Sequence, residues 1–386
     1  AEILMGGTWD ISGTVLIEGA AFTRTGANAA RASTRSASID DLGGETGDSE
    51  NDLSRVLSLG NPAEVILRGA NWCFPALDSL AENGGNLHLV EGANFPGGSG
   101  GNSTVGSFTN SGGLLIEAFS QMTVGGAFIQ TGTRAETELT GGALVSASNH
   151  FEILGGTVTA SAGSEIFNLS GNTIPSGTTI RVESPLIDTN MTDSSGAPVF
   201  EQEPVCVEVD AQITAITQAS SVTIHGAAVD FSALTGYLTT NSGAFTVSGD
   251  GVDNAPRLSL GFDSFHTLTN TGDVNVLGYT TDLQMGTYIQ NATLSSTRIG
   301  AGAKLTLFDS LAIEEGEIVV EIGAPPRQGL FGQIVTSYAE FGNGLVIDFT
   351  GEFAAASASV DVGDTWEIIP RTSANAANVT GVDTVT

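Results

Sequence analysis

The chain has 386 residues, of which 40% are hydrophobic and 51 are glycine, and 43 acidic against 12 basic residues give a formal charge of −31 at pH 7. That balance leaves no basic footprint to displace phosphate counterions, so it speaks against a nucleic-acid partner and against an anionic membrane surface. There is ample apolar material for a core, no run nears the roughly 18–20 apolar residues that span a bilayer, and two cysteines, Cys73 and Cys206, are too few for a disulfide scaffold or a zinc site.

Residues 1–20 hold two strand-like runs, EILMGGTWDI and TVLIEG. The abrupt start AEILMGGTWD suits a mature secreted product cut after a small residue. Residues 21–55 are small and polar, ending in the acidic DDLGGETGDSEND, and read as an excursion from the fold. DLSRVLSL and PALDSLAEN each predict one or two helical turns. Residues 1–100 therefore read as an N-terminal cap over an otherwise open sheet edge.

From about residue 101 the chain repeats a phrase. FTNSG (Phe108–Gly112) returns as FIQTG (Phe128–Gly132), NSG (Asn241–Gly243) and LTNTG (Leu268–Gly272), with glycine pairs at 112–113, 125–126, 141–142 and 155–156. Between them lie short alternating runs such as LLIEAF, QMTV, TELT, FEIL and TVTA. Such runs predict short strands with one buried face, and Gly, Asn and Ser supply positive φ at tight corners. A unit of this size cannot bury its inner face alone, so copies stack about 4.8 Å apart as a solenoid. In that stack Ile, Val, Leu and Phe point inward and Thr, Ser and Asn outward. A β-sandwich would space its strands more widely and would not repeat the phrase. The expected fold is all-β: a right-handed parallel β-helix body over 101–315, with a side loop near 181–205. Cys73 and Cys206 then lie several turns apart, too far to bridge.

The stretch FTNSGGLLIEAFSQMTVGGAFIQTG, followed by TELTGGALVSASNHFEILGGTVTASAG, resembles the passenger-type repeats of bacterial autotransporter-like and PEP-CTERM-type surface proteins, with pectin-lyase-like β-solenoid repeats. Over 316–386 the alternating Ile318, Val320 and Ile322, then Phe331 to Val335, Leu345 to Phe349 and Gly363 to Ile369, resemble the sandwich-like β cap that closes such passengers. The resemblance covers about 105–180 and 265–370. It implies a fold and a bacterial cell-surface setting rather than an activity, and the irregular stretch 181–255 departs from it.

Few residues offer chemistry. His88, His150, His225 and His266 stand apart without ligand spacing. GGSGG (Gly97–Gly101) matches a nucleophile elbow in letters, but it lies in a Pro-Gly-rich loop rather than between strand and helix. SGDGVDN (Ser248–Asn254) and the acidic 40–52 segment carry the Asp/Gly alternation of loose Ca²⁺ loops, which makes Asp250, Asp253, Asp48 and Asp52 weak Ca²⁺ candidates. No catalytic residue and no cofactor beyond such Ca²⁺ is expected.

These readings predict a non-enzymatic extracellular structural protein, a self-associating subunit of a cell-surface fibre, sheath or layer. EILMGGTWDI and GVDTVT would serve as contact strands in a homopolymer. The alternative is an adhesin or glycan-binding passenger acting through its side loops on surface glycans. A polysaccharide lyase or hydrolase ranks third, with Asp250 and Asp253 as the residues to test.

Overall fold

The computed structural model describes residues 58–61, 63–69, 80–95, 106–148, 150–160, 163–184, 186–202, 204–250, 258–279, 281–324, 330–342, 345–349 and 367–369, and the backbone of 10–11, 14–18, 37–38 and 378–380. Nearly all of it is β-structure, in parallel sheets stacked as a β-solenoid of about 11 turns. The chain forms two compact units, residues 1–169 with 205–211, and residues 170–204 with 212–386. The only helix among the described residues is one turn, Ser232–Thr235.

In the first unit the turns lay short strands on three sheets, the middle turns on all three. Sheet A stacks Thr14–Glu18, Glu64–Arg68, Asn86–Val90, Gly113–Ile116, Glu136–Leu139, Gly156–Ala160 and Val205–Val209, all parallel. Sheet B stacks Asn94–Phe95, Gln121–Val124 and Leu144–Ala147. Sheet C stacks Ser58–Leu59, Glu82–Asn83, Phe108–Asn110, Ala127–Gln130 and His150–Ile153. The runs QMTV, TELT, FEIL and TVTA are strands over most of their length, with alternate residues buried; LLIEAF is a strand only to Ile116, and its Ala118 and Phe119 turn outward at positive φ. Parallel pairing already joins residues 58–95 to the segment taken as the start of the body. The ends of the two runs predicted helical, Ser58–Leu59 and Glu82–Asn83, are strands here because Leu59 and Asn83 face the core.

The second unit repeats the plan. Sheet D stacks Thr179–Glu183, Ser221–His225, Ala244–Ser248, Asp273–Leu277, Ser296–Ile299, Glu317–Ile322 and Leu345–Phe349. Sheet E includes Thr240–Asn241, Thr267–Asn270, Asp282–Gln290, Lys304–Ile313 and Tyr338–Phe341, with the short Ser259–Gly261 and Gln333–Val335 on its flank. Within 316–386, the segment expected to form a sandwich-like cap, the described strands add parallel turns. The expected side loop contains an antiparallel hairpin, Leu186–Thr192 with Pro198–Gln202.

The repeated phrase has a physical basis that differs from the expected one. Its first and third residues are both buried, so the amide side chain shares the inner face with the aromatic. Phe108 stacks on Phe128 at 6.1 Å between ring centroids, and Phe128 on Phe151 at 6.3 Å. Beside them Asn83, Asn110 and Gln130 are fully buried. Asn83 Nδ2 donates to Asn110 Oδ1 at 2.9 Å, Asn110 Nδ2 to Thr137 Oγ1 at 3.0 Å, and Thr137 Oγ1 to Gln130 Oε1 at 2.6 Å. The same set recurs in the second unit. Asn241 Nδ2 donates to Asn270 Oδ1 at 2.9 Å, Asn270 Nδ2 to Gln290 Oε1 at 3.3 Å, and Thr297 Oγ1 to Gln290 Oε1 at 2.6 Å. The amides also donate to carbonyls of the next turn, those of Gly113, Glu136, Thr157, Asp273, Ser296 and Glu317. These Asn side chains therefore do not point outward, and they do not supply positive φ. They satisfy strand-end carbonyls that the core would otherwise leave unpaired.

The glycine after the amide has a second role. A Cβ on Gly112 would lie 2.0 Å from Gly85 O, and one on Gly272 would lie 2.1 Å from Gly243 O. Close approach of neighbouring turns, not backbone handedness, requires glycine there. In the Tyr288-x-Gln290 version of the phrase the phenol is buried and bonded to Thr297 Oγ1, and burial pushes its pKa up.

Replacing Asn110 or Asn270 by Leu should leave buried donors and carbonyls unpaired and cost about 2–4 kcal/mol. An outward Thr123→Ala change should stay within about 0.5 kcal/mol. Urea titration of the three variants checks this; equal midpoints would show that the ladder contributes nothing.

Candidate functional site

The outer faces of the sheets carry the rows that the inner alternation leaves over. On sheet E the pairing aligns Ser259, Asp282, Lys304 and Gln333 in one outward row, with Gln284 and Thr306 in the next. Ser259, Asp282, Lys304, Gln333 and Gln284 line a cleft of about 410 Å³ in the second unit, together with Leu258, Tyr279 and Phe331. Lys304 is the only lysine of the chain, and it makes no hydrogen bond or ion pair among the described residues. Asp282 is held from both sides. Gln284 Nε2 donates to Oδ2 at 2.7 Å, and the Thr306 hydroxyl donates to Oδ1 at 2.7 Å. Gln284 Nε2 also reaches Ser259 Oγ at 3.1 Å.

One wall depends on a glycine. Gly302 has a φ of +81°, and a Cβ there would lie 2.5 Å from the Tyr279 ring. The missing side chain lets that ring lie across the backbone of the next turn. The cleft thus joins one ammonium, one braced carboxylate, two carboxamides and hydroxyls to two aromatic rings. Ordered polar groups between aromatic walls can read hydroxyl-rich, non-planar ligands.

A second polar cluster lies one corner away in the same unit. His225 ends one strand of sheet D and Ser248 the next, paired in register. His225 Nδ1 lies 2.8 Å from Ser248 Oγ, and Nε2 lies 3.2 Å from Asp250 Oδ1. Gln202, on the return strand of the side hairpin, donates through Nε2 to Asp250 Oδ2, and its Oε1 accepts the N–H groups of Ala227 and Ala228.

Asp250, a weak Ca²⁺ candidate, therefore has its oxygens engaged by His225 and Gln202. Asp253, Asp48, Asp52 and the GGSGG loop lie outside the described residues, as does Cys73. Among the described residues, no group of three or more His, Cys, Asp or Glu side chains is placed to hold a metal ion. His88 lies 4.0 Å from Glu64 and His150 lies 3.0 Å from Glu152, while the His266 ring stacks on Phe262. Sequence reasoning missed Lys304, Tyr279 and His225. The single lysine was a visible signal, whereas the pairing of His225 with Ser248 needed the strand register.

Comparison with protein-family models, curated proteins and solved structures finds no match.

An amine-reactive ester should label Lys304 in the native chain, because no partner among the described residues holds its ammonium. Peptide mapping that finds Lys304 unmodified until the chain is unfolded would show the cleft closed to solutes.

Proposed function

We propose that this chain is a secreted, surface-displayed β-solenoid scaffold that holds a glycan in the cleft around Lys304. The carrying observation is the Lys304 ammonium, unpaired among the described residues, in a cleft that it lines together with Asp282, Gln284, Gln333, Tyr279 and Phe331. Carboxylates and carboxamides bond sugar hydroxyls, and aromatic faces pack on the C–H faces of pyranose rings. The long-range field of a chain carrying −31 charges opposes a polyuronate. One carboxylate placed over Lys304 would instead gain a short-range pair, because salt screens the distant charges beyond about 8 Å. The ligand class that fits is a neutral or sparsely carboxylated oligosaccharide.

The autotransporter-passenger or PEP-CTERM-type surface setting belongs to this reading and is supported by the repeated phrase and the solenoid it builds. Self-association into a fibre or sheath is compatible with it. The contact strands expected for that role are described only at the backbone of Asp10–Ile11, which pairs antiparallel with Ala37–Ser38. The cleft therefore supports the glycan reading more strongly than the termini support a polymer.

A glycan array probed with the full chain should give hits among neutral or singly carboxylated oligosaccharides. Lys304→Ala should weaken binding of the carboxylated hits by about tenfold or more, the loss of one charge-assisted hydrogen bond of about 1.5–3 kcal/mol. Absence of any hit, or equal binding by Lys304→Ala and Gln284→Ala variants, would overturn the assignment.

A further inference from the structure

We propose that Ser248, His225 and Asp250 form a nucleophile, base and orienting carboxylate that cleave acyl esters. The substrate class, an O-acylated glycan, rests on the cleft reading above; the nucleophile itself does not.

Proton positions follow from the acceptors. A carboxylate oxygen only accepts, so His225 carries its proton on Nε2 and donates it to Asp250 Oδ1. Nδ1 is then a free base, and the Ser248 hydroxyl donates to it across 2.8 Å. This is the polarity that general-base activation of a serine requires, with the two ring nitrogens exchanged relative to the best-known triads. Either nitrogen can act as base once the other is fixed as a donor. The carboxylate is sunk, with 10% of its side chain exposed, while 27% of the imidazole remains open. Gln202 holds the second carboxylate oxygen and is itself clamped by Ala227 and Ala228 N–H.

The cluster also adjoins the cleft. Gly249, between Ser248 and Asp250, donates its N–H to Thr281 Oγ1 at 2.7 Å, and Thr281 lines the cleft. The two sites are thus joined through one hydrogen bond from the residue that follows Ser248.

In the reaction, Ser248 Oγ bonds to the ester carbonyl carbon as its proton passes to His225 Nδ1. The imidazolium is stabilised by Asp250. The C–O bond to the sugar then breaks, and the leaving alkoxide takes the proton from Nδ1. Water then loses a proton to the same nitrogen and attacks the acyl-serine; the Ser248 Oγ–C bond breaks as Oγ takes that proton back, which releases the carboxylic acid and restores the serine. The N–H groups of Gly226, Ala227, Ala228 and Gly249 are all engaged within the protein, so they offer the developing oxyanion no ready donor. A missing oxyanion donor costs about 10²–10³ in rate, which makes turnover slow and covalent capture the sensitive readout.

The test treats the full chain with a fluorophosphonate probe, which phosphonylates an activated serine with loss of fluoride, and in parallel with p-nitrophenyl acetate. The expected result is one probe per chain, mapped to Ser248. Ser248→Ala should abolish labelling, His225→Ala should slow it at least about 100-fold, and an outward Ser146→Ala control should be unchanged. Circular dichroism of each variant confirms that the coil is retained. A wild-type chain that binds glycan but takes no probe, or a Ser248→Ala chain labelled like the wild type, overturns the proposal. Labelling at Ser248 without glycan binding supports the nucleophile while overturning the cleft reading.

Discussion

Each turn of this chain must offer the next a strand edge in matching register, and the buried amide ladder is what holds that register at the corners. Parallel strands pair along their length, but where the chain bends between sheets its carbonyls lose their strand partners. A carbonyl left unpaired in an apolar core costs on the order of 1–3 kcal/mol. Asn110, Gln130, Asn270 and Gln290 reach across to those groups in the following turn. Their amides are short enough to lie beside the aromatic stack, and the glycine that follows lets the turns close. Each ladder begins at an Asn, Asn83 or Asn241, whose Oδ1 has no donor. The ladder is thus directional, with every amide donating toward the next turn.

The same register builds the outer surface. Once alternate residues are committed inward, their neighbours fall into rows that cross the strands, and side chains far apart in sequence become adjacent. Asp282, Lys304 and Gln333 align in this way on sheet E. The row lies in the solvent-facing layer of a strongly acidic chain and sets its one ammonium in register with a neighbouring carboxylate.

The corner between sheets D and E works differently. There the coil admits extra chain, and the hairpin Leu186–Thr192 with Pro198–Gln202 is its largest described insertion before this corner. Its return strand delivers Gln202 to Asp250, so a carboxylate that would otherwise be solvated becomes fixed against His225. Two levels of structure are involved. The coil brings His225 and Ser248 side by side, and the insertion orients the third group.

Much of the fold was legible in the residues, because side-chain alternation is a local property. Alternation in FEIL and TVTA marked strands, and the returning phrase marked a stack of turns. The parity of the phrase also required Asn110 to face inward with Phe108, but the polarity of Asn suggested an outward corner. That signal was present and was outweighed by composition. By itself the sequence determined the strands, the repeat and the charge. Only the tertiary structure decided which polar residues are buried, that Lys304 opens into a cleft, and that Ser248, His225 and Asp250 meet. Those facts depend on how one turn registers against another, and the turns vary in length, so the spacing along the chain does not encode them.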